Sequence, residues 1–243
     1  MVFLFASCLQ MASASVIQPG MMDDFEDGTT ASWIKGIELT KAKILPPRNV
    51  ANADESNRFL EVKSTGSSTN DNVARDPHSR MVFFNESQWT GDYSGITSIT
   101  AMMKATSSTE DNLFMRLALY DEKITGESQS RYVSAAPEIL KTDGEWHSMF
   151  FSLNPSDLVR FRGEKTAEQV LSNVGHLRFL SSKDNAAAWQ VDKIEATLGI
   201  DNITAVSALT AVPLPGAVWF MISAMTGLMG IKVRQKFCNN KTQ

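Results

Sequence analysis

His78, His147 and His176 are the side chains best suited to acid–base or metal work near neutral pH, and their spacing does not bring them together. No HExxH or other ligand-spaced pair occurs. His147 and His176 each sit in an alternating run, where a core or surface-strand histidine is the expectation. The two cysteines, Cys8 and Cys238, lie at the ends, so the span between them holds no thiolate metal site, no Cys nucleophile and no disulfide. Neither a Gly-x-Ser-x-Gly elbow nor a phosphate-binding Gly loop is present. Acidic residues are plentiful, at 27, but none stands out as half of a glycosidase pair, whose separation is a three-dimensional quantity. The residues therefore point away from an enzyme.

Binding a sugar asks for something else: an aromatic face for the apolar side of the ring, with polar groups beside it for the hydroxyls. Trp89, Tyr93, Tyr120, Trp146 and Trp189 are the aromatics to consider. Trp33 and Trp146 lie in apolar contexts and read as core. Trp89 and Tyr93 flank the Gly91-Asp92 turn and Trp189 follows three alanines, so these three are the predicted ligand-facing residues.

The elements that would position them are mostly strands. In Leu113 to Tyr120, Leu113, Met115, Leu117 and Leu119 alternate with Arg116 and Tyr120, the pattern of a half-buried strand. Similar runs cover 58–63, 80–85, 96–104, 131–135, 146–153, 176–180 and 198–206, separated by stretches rich in Ser, Thr, Asn, Asp and Gly. Only 156–160 and 166–172 suggest helix, each opening on a residue able to cap it. Many strands, little helix and no internal repeat predict an all-β protein with an antiparallel β-sandwich over 15–206, of jelly-roll type.

Both termini depart from this pattern. Val2 to Met11 is a short apolar run, too short to span a bilayer, and Ala12 and Ala14 stand at the −3 and −1 positions of a secretory cleavage site. That predicts a signal peptide over 1–14. At the other end a linker over 207–211 leads to Val212-Pro213-Leu214-Pro215, sixteen uncharged residues from Gly216 to Ile231, then Lys232, Arg234 and Lys236. A helix over about 215–234 would rise roughly 30 Å, enough to cross a membrane with the basic tail in the cytoplasm. Overall the chain carries 23 basic and 27 acidic residues. Four of the basic ones fall in the last dozen positions, which leaves the remainder acidic and argues against a nucleic-acid partner.

Segment 212–243 resembles the PEP-CTERM sorting signal, in a variant with Val-Pro-Leu-Pro where others carry Pro-Glu-Pro. The resemblance implies an exosortase-type protease as partner, membrane insertion of a precursor, and residence at the surface or in the biofilm matrix of a Gram-negative bacterium. Spaced basic residues and the continuation to Gln243 depart from the pattern. A second resemblance lies in the domain. Asp23-Asp24-Phe25-Glu26-Asp27-Gly28 with Trp33, and Gly199-Ile200-Asp201-Asn202-Ile203, are similar to the opening and closing of jelly-roll carbohydrate-binding modules. Gln88 to Tyr93 and Leu177 to Phe179 also resemble exported domains that carry this sorting signal. The module resemblance implies one structural calcium ion held by Glu26 and Asp201, with Asp24 or Asp27 beside them. Together these readings give a non-catalytic surface or matrix protein that binds extracellular polysaccharide. The alternatives are a structural component without a ligand, or a glycan hydrolase or lyase.

Overall fold

The computed structural model describes residues 15–35, 47–67, 77–122, 129–185 and 191–208. Ala12, Ala14, Trp189 and the sorting segment with Val212, Pro213, Leu214 and Pro215 lie outside the described residues.

Two antiparallel sheets face each other. The first runs β2 (Arg48–Ala51), β3 (Arg58–Thr65), β12 (Glu195–Val206), β5 (Ser98–Thr106), β9 (His147–Ser152). A two-residue β1 (Met22–Asp23) pairs with Ile203 and Thr204 of β12, taking over the edge that β3 leaves after Ile200. The second sheet runs β10 (Leu158–Arg162), β7 (Arg131–Ser134), β6 (Asn112–Asp121), β11 (Val174–Ser181), β4 (Val82–Asn85), with β8 (Glu138–Lys141) on β6. This is an all-β sandwich of jelly-roll type, as the strand-rich pattern predicts.

Alternation decides what each strand buries. From β6, Leu113, Met115, Leu117 and Leu119 enter the space between the sheets, where they meet Leu60, Val62, Ile99, Met103, Leu198 and Ile200 of the first sheet. Aromatic rings fill the centre: Phe179 lies 5.5 Å from Phe83, 5.5 Å from Trp33 and 5.2 Å from Phe151. Each such ring, fully buried, contributes on the order of 2–3 kcal/mol. Gly199 in β12 is fixed by packing, since a Cβ there would stand 3.0 Å from the Lys104 stem and 3.1 Å from the Phe59 ring.

Of the two predicted helices one forms. Thr166 caps α1 (Ala167–Leu171) through a complete capping box with Gln169. The other is corrected: after a single turn over Pro155–Asp157, Leu158–Arg162 is strand β10, paired with β7. Its Leu-Val-Arg-Phe-Arg alternation, with a β-branched and an aromatic residue, suits an edge strand better than a helix. Among the described residues no helix is long and apolar enough to cross a membrane.

Candidate functional site

Trp89 and Tyr93 are not at the surface. Both are fully buried, at 0% and 1% exposure, and this corrects their prediction as ligand-facing residues. The reason is Asp23. Its Oδ2 accepts the indole N–H groups of both Trp33 and Trp89 at 2.7 Å, and its Oδ1 accepts from Gln88 at 2.7 Å. Tyr93 donates its hydroxyl to the Trp89 carbonyl at 2.8 Å, and burial pushes its pKa far up. Burial also raises the Asp23 pKa, against the three side-chain bonds, which favour the carboxylate. Trp33 is core, as predicted. Trp146 is not: it is half-buried on the outward side of the first sheet, 5.5 Å from Phe59, with the Lys104 ammonium 4.7 Å above its ring.

The polar and aromatic residues that do converge lie on the outward face of the second sheet. Register across β4, β11, β6, β7 and β10 sets two rows there. One reads Phe84, Arg178, Ala118, Val133, Val159; the next reads His176, Tyr120, Arg131, Arg162. Ala118, Val133 and Tyr120 join Val82, Leu180 and Val191 in a small apolar cluster separate from the main core. The Arg178 guanidinium lies 4.5 Å from the Phe84 ring centre and 4.2 Å from that of Tyr120, while Arg131 lies 4.5 Å from Tyr120. The His176 ring stacks near both aromatics, at 6.0 Å and 5.8 Å.

Hydrogen bonding on this face is incomplete. Six buried side-chain polar atoms among the described residues have no partner: Arg80 Nη1, Tyr120 OH, Arg131 Nε, Arg178 Nε and Nη1, and Ser182 Oγ. Tyr120, Arg131 and Arg178 point outward from this sheet by strand alternation, while Arg80 and Ser182 lie just beyond the ends of β4 and β11. Arg178 is 6% exposed and, among the described residues, makes one side-chain hydrogen bond, from Nη2 to His176 Nδ1 at 3.3 Å. Arg116, on the same face, differs: its guanidinium donates to the carbonyls of Ser134, Ala135, Ser182 and Lys183 at 2.7–2.9 Å. Desolvation, then the charges of Arg178 and Arg131, lower the His176 pKa to about 4. Although Glu86 Oε2 stands 3.5 Å from His176 Nδ1, the ring is neutral at pH 7 and that contact is not an ion pair. Asp121, at the end of β6, is taken up by Lys165 and the Ser130 amide, both at 2.9 Å.

The residues expected to hold calcium are partly assembled. Pairing of β1 with β12 brings the opening segment alongside Asp201, whose pKa is raised by burial first and also by the charges of Glu26 and Asp24. Several of their oxygens are already engaged: Glu26 Oε1 accepts the Arg58 amide at 2.8 Å, and Asp201 accepts from Asn57 at 3.2 Å and from the Asn202 amide at 2.7 Å. Asp27 closes a local turn with Thr29. Among the described residues no three His, Cys, Asp or Glu side chains converge closely enough to hold a metal ion.

The fold, a two-sheet β-sandwich of jelly-roll type, is similar to that of solved carbohydrate-binding modules. A family 11 carbohydrate-binding module from Clostridium thermocellum, solved with a β-1,3-1,4-mixed-linked tetrasaccharide, is similar with a TM-score of 0.50 and 17% identity over 79% of this chain and 99% of that one. The solution structure of CtCBM11 is similar with a TM-score of 0.50 and 19% identity over 82% and 99% of the two chains. The CBM22-2 xylan-binding domain of Paenibacillus barcinonensis Xyn10C gives a TM-score of 0.44 and 15% identity over 77% and 99%. Neither a protein-family profile nor a curated protein matches the sequence.

The aromatic residues alone do not mark this face in the sequence. Tyr120 belongs to the wider aromatic set and His176 reads as a core or surface-strand histidine, but no local pattern marks Phe84 or Arg131, and Arg178 enters only within Leu177 to Phe179. A usable signal lies in His176-Leu177-Arg178, polar residues placed on alternate positions of an otherwise apolar strand.

Proposed function

We propose that this chain is a non-catalytic polysaccharide-binding protein that binds through the outward face of the second sheet. The observation that carries the reading is the gathering of unpartnered buried polar atoms on that one face. Each such atom costs about 1–3 kcal/mol if nothing meets it, so a partner presenting many oxygens is favoured there. The two rows themselves contain no acid, Asp121 is held by Lys165 and Glu86 stands beside His176, an arrangement that favours the binding reading over a two-carboxylate hydrolase. The test is affinity electrophoresis of the full chain through gels containing neutral and charged polysaccharides. Retardation by at least one of them, lost in Arg131→Ala and His176→Ala, is expected; free migration through every gel overturns the reading. Release of reducing ends or unsaturated products would instead mark an enzyme.

Export and sorting belong to the same proposal. Support comes from the Ala12 and Ala14 cleavage pattern and from the Pro-bounded apolar segment after Val212 with its basic end. An exosortase-type protease would then deliver the domain to the surface or matrix. Deleting Val212 to Gln243 releases the domain from membranes on this account, and membrane fractionation of the deletion variant would rule it out. A calcium ion at Glu26 and Asp201 would offset the burial, and with it the like charges of Glu26 and Asp24, that raise the Asp201 pKa. Chelation is expected to lower the melting temperature in the natural chain and not in Asp201→Ala; equal melting with and without chelator removes the ion from the proposal.

A further inference from the structure

We infer that the ligand of this face is an anionic polysaccharide, one that places a carboxylate or sulfate group on Arg178 and Arg131. The inference rests on the polysaccharide-binding reading and names the class of sugar. Four of the six unpartnered atoms are guanidinium N–H groups, on Arg80, Arg131 and Arg178. Guanidinium only donates, whereas a sugar hydroxyl both donates and accepts, so the surplus on this face calls for acceptors. A planar carboxylate or a sulfate supplies two or three acceptor oxygens to one guanidinium fork.

Three further features agree. The aromatic faces are not open: Tyr120 is 1% exposed and Phe84 is 5% exposed, with the Arg178 guanidinium over both rings. A pyranose therefore cannot stack on them without displacing that group, and Arg131, only half-buried beside Tyr120, is the guanidinium a ligand reaches first. No ion pair within 4 Å neutralises Arg178, Arg131 or Arg80 among the described residues: Asp121 is committed to Lys165, and Glu86, whose charge is felt by Arg178, makes its close contact with His176. Arg162 extends the row beyond Arg131 at the sheet edge, in a chain whose formal net charge is −4. Positive charge is thus concentrated on this face and is not a reflection of overall composition.

The experiment titrates the full chain with a polygalacturonate oligosaccharide and with the same oligosaccharide after carboxyl reduction. Dextran sulfate and dextran form a second matched pair. At least tenfold tighter binding to the charged member of one pair is expected, with affinity falling as salt is added. The pair that responds tells carboxylate from sulfate. Arg131→Gln should abolish the preference, whereas Arg48→Gln, which removes an exposed positive charge from the first sheet, should leave it intact. If Arg178→Gln does not fold, Arg131→Gln and the His176 imidazole NMR titration still decide the matter. A bound anion facing Arg131, Arg178, Tyr120 and Glu86 moves the His176 pKa upward, which a neutral sugar does not. Equal, salt-insensitive binding to both members of each pair overturns the anionic assignment and leaves polysaccharide binding standing. Binding to none, neutral sugars included, overturns both. Equal affinity for duplex DNA of matched charge would mark a general polyanion surface and also overturn the assignment.

Discussion

Arg116 and Arg178 share a residue type, a sheet face and near-complete burial, yet their surroundings differ. Backbone carbonyls from two loops hold Arg116, so it joins the β7 end to the stretch after β11. Arg178 has two aromatic faces and one weak bond to His176. A buried charge with its hydrogen bonds made is costly to remove, while one without them can be replaced by an apolar group at little cost. Arg116→Met is therefore expected to destabilise by about 3 kcal/mol, a fall in melting temperature of roughly 6–10 °C. Arg178→Met, whose side chain still fits between Phe84 and Tyr120, should change stability by less than about 1 kcal/mol in either direction. Thermal melts of the two variants check this, and an equal fall in both would mean that Arg178 is structural. Neither arginine was legible as special in the sequence, because burial and partners, not residue type, separate them. Trp89 misled for the same reason: beside a Gly-Asp turn it looks exposed, and only the distant Asp23 shows why its indole points inward.

Elements were more legible than sites. The long strands β3, β5, β6, β11 and β12 carry alternation over eight or more residues, enough for the period of two to stand out. β1, β2 and β8 span two to four residues each and exist because a neighbouring strand offers an edge, which no local pattern records. Ser156 resembles a helix cap, yet pairing with β7 makes Leu158–Arg162 a strand. Thr166 is the counter-example. Its Oγ1 accepts from the Gln169 amide and its own amide donates to the Gln169 side chain, so a local signal and the structure agree. Since α1 places Ala167, Val170 and Leu171 in the core, fraying there loosens packing as well as the helix. Thr166→Ala should cost about 1 kcal/mol, read as a melting temperature lower by roughly 2–4 °C, and Thr166→Ser should recover most of it. Identical melts for all three proteins would show that the box does not contribute.

For the whole molecule, strand order brings together residues that the sequence holds far apart. Phe84, Tyr120, Arg131 and His176 become neighbours because β4, β11, β6 and β7 lie side by side, and no spacing along the chain encodes that order. The same assembly sets how stability depends on pH. His176 is neutral in the folded protein down to about pH 4, held there by burial and by Arg178 and Arg131, while an unfolded histidine takes up its proton near 6.5. Between these values the unfolded chain binds more protons, so stability is complete above about 6.5 and is lost as pH falls toward 4. The loss is roughly 3 kcal/mol at most. Asp23 acts in the opposite sense. Its raised pKa gives a contribution present below about 3.9 and lost as pH rises, so it cannot produce a decline on acidification in this window. Urea unfolding of the full chain at pH 7.0, 5.5 and 4.5 should therefore show a progressive loss that His176→Gln abolishes, because glutamine can still accept from Arg178 and takes up no proton. Parallel declines in both proteins would assign the loss to carboxylates elsewhere and remove His176 from the account. The same titration links to binding, since an anion seated on Arg178 and Arg131 would raise the His176 pKa and shrink the acid-side loss.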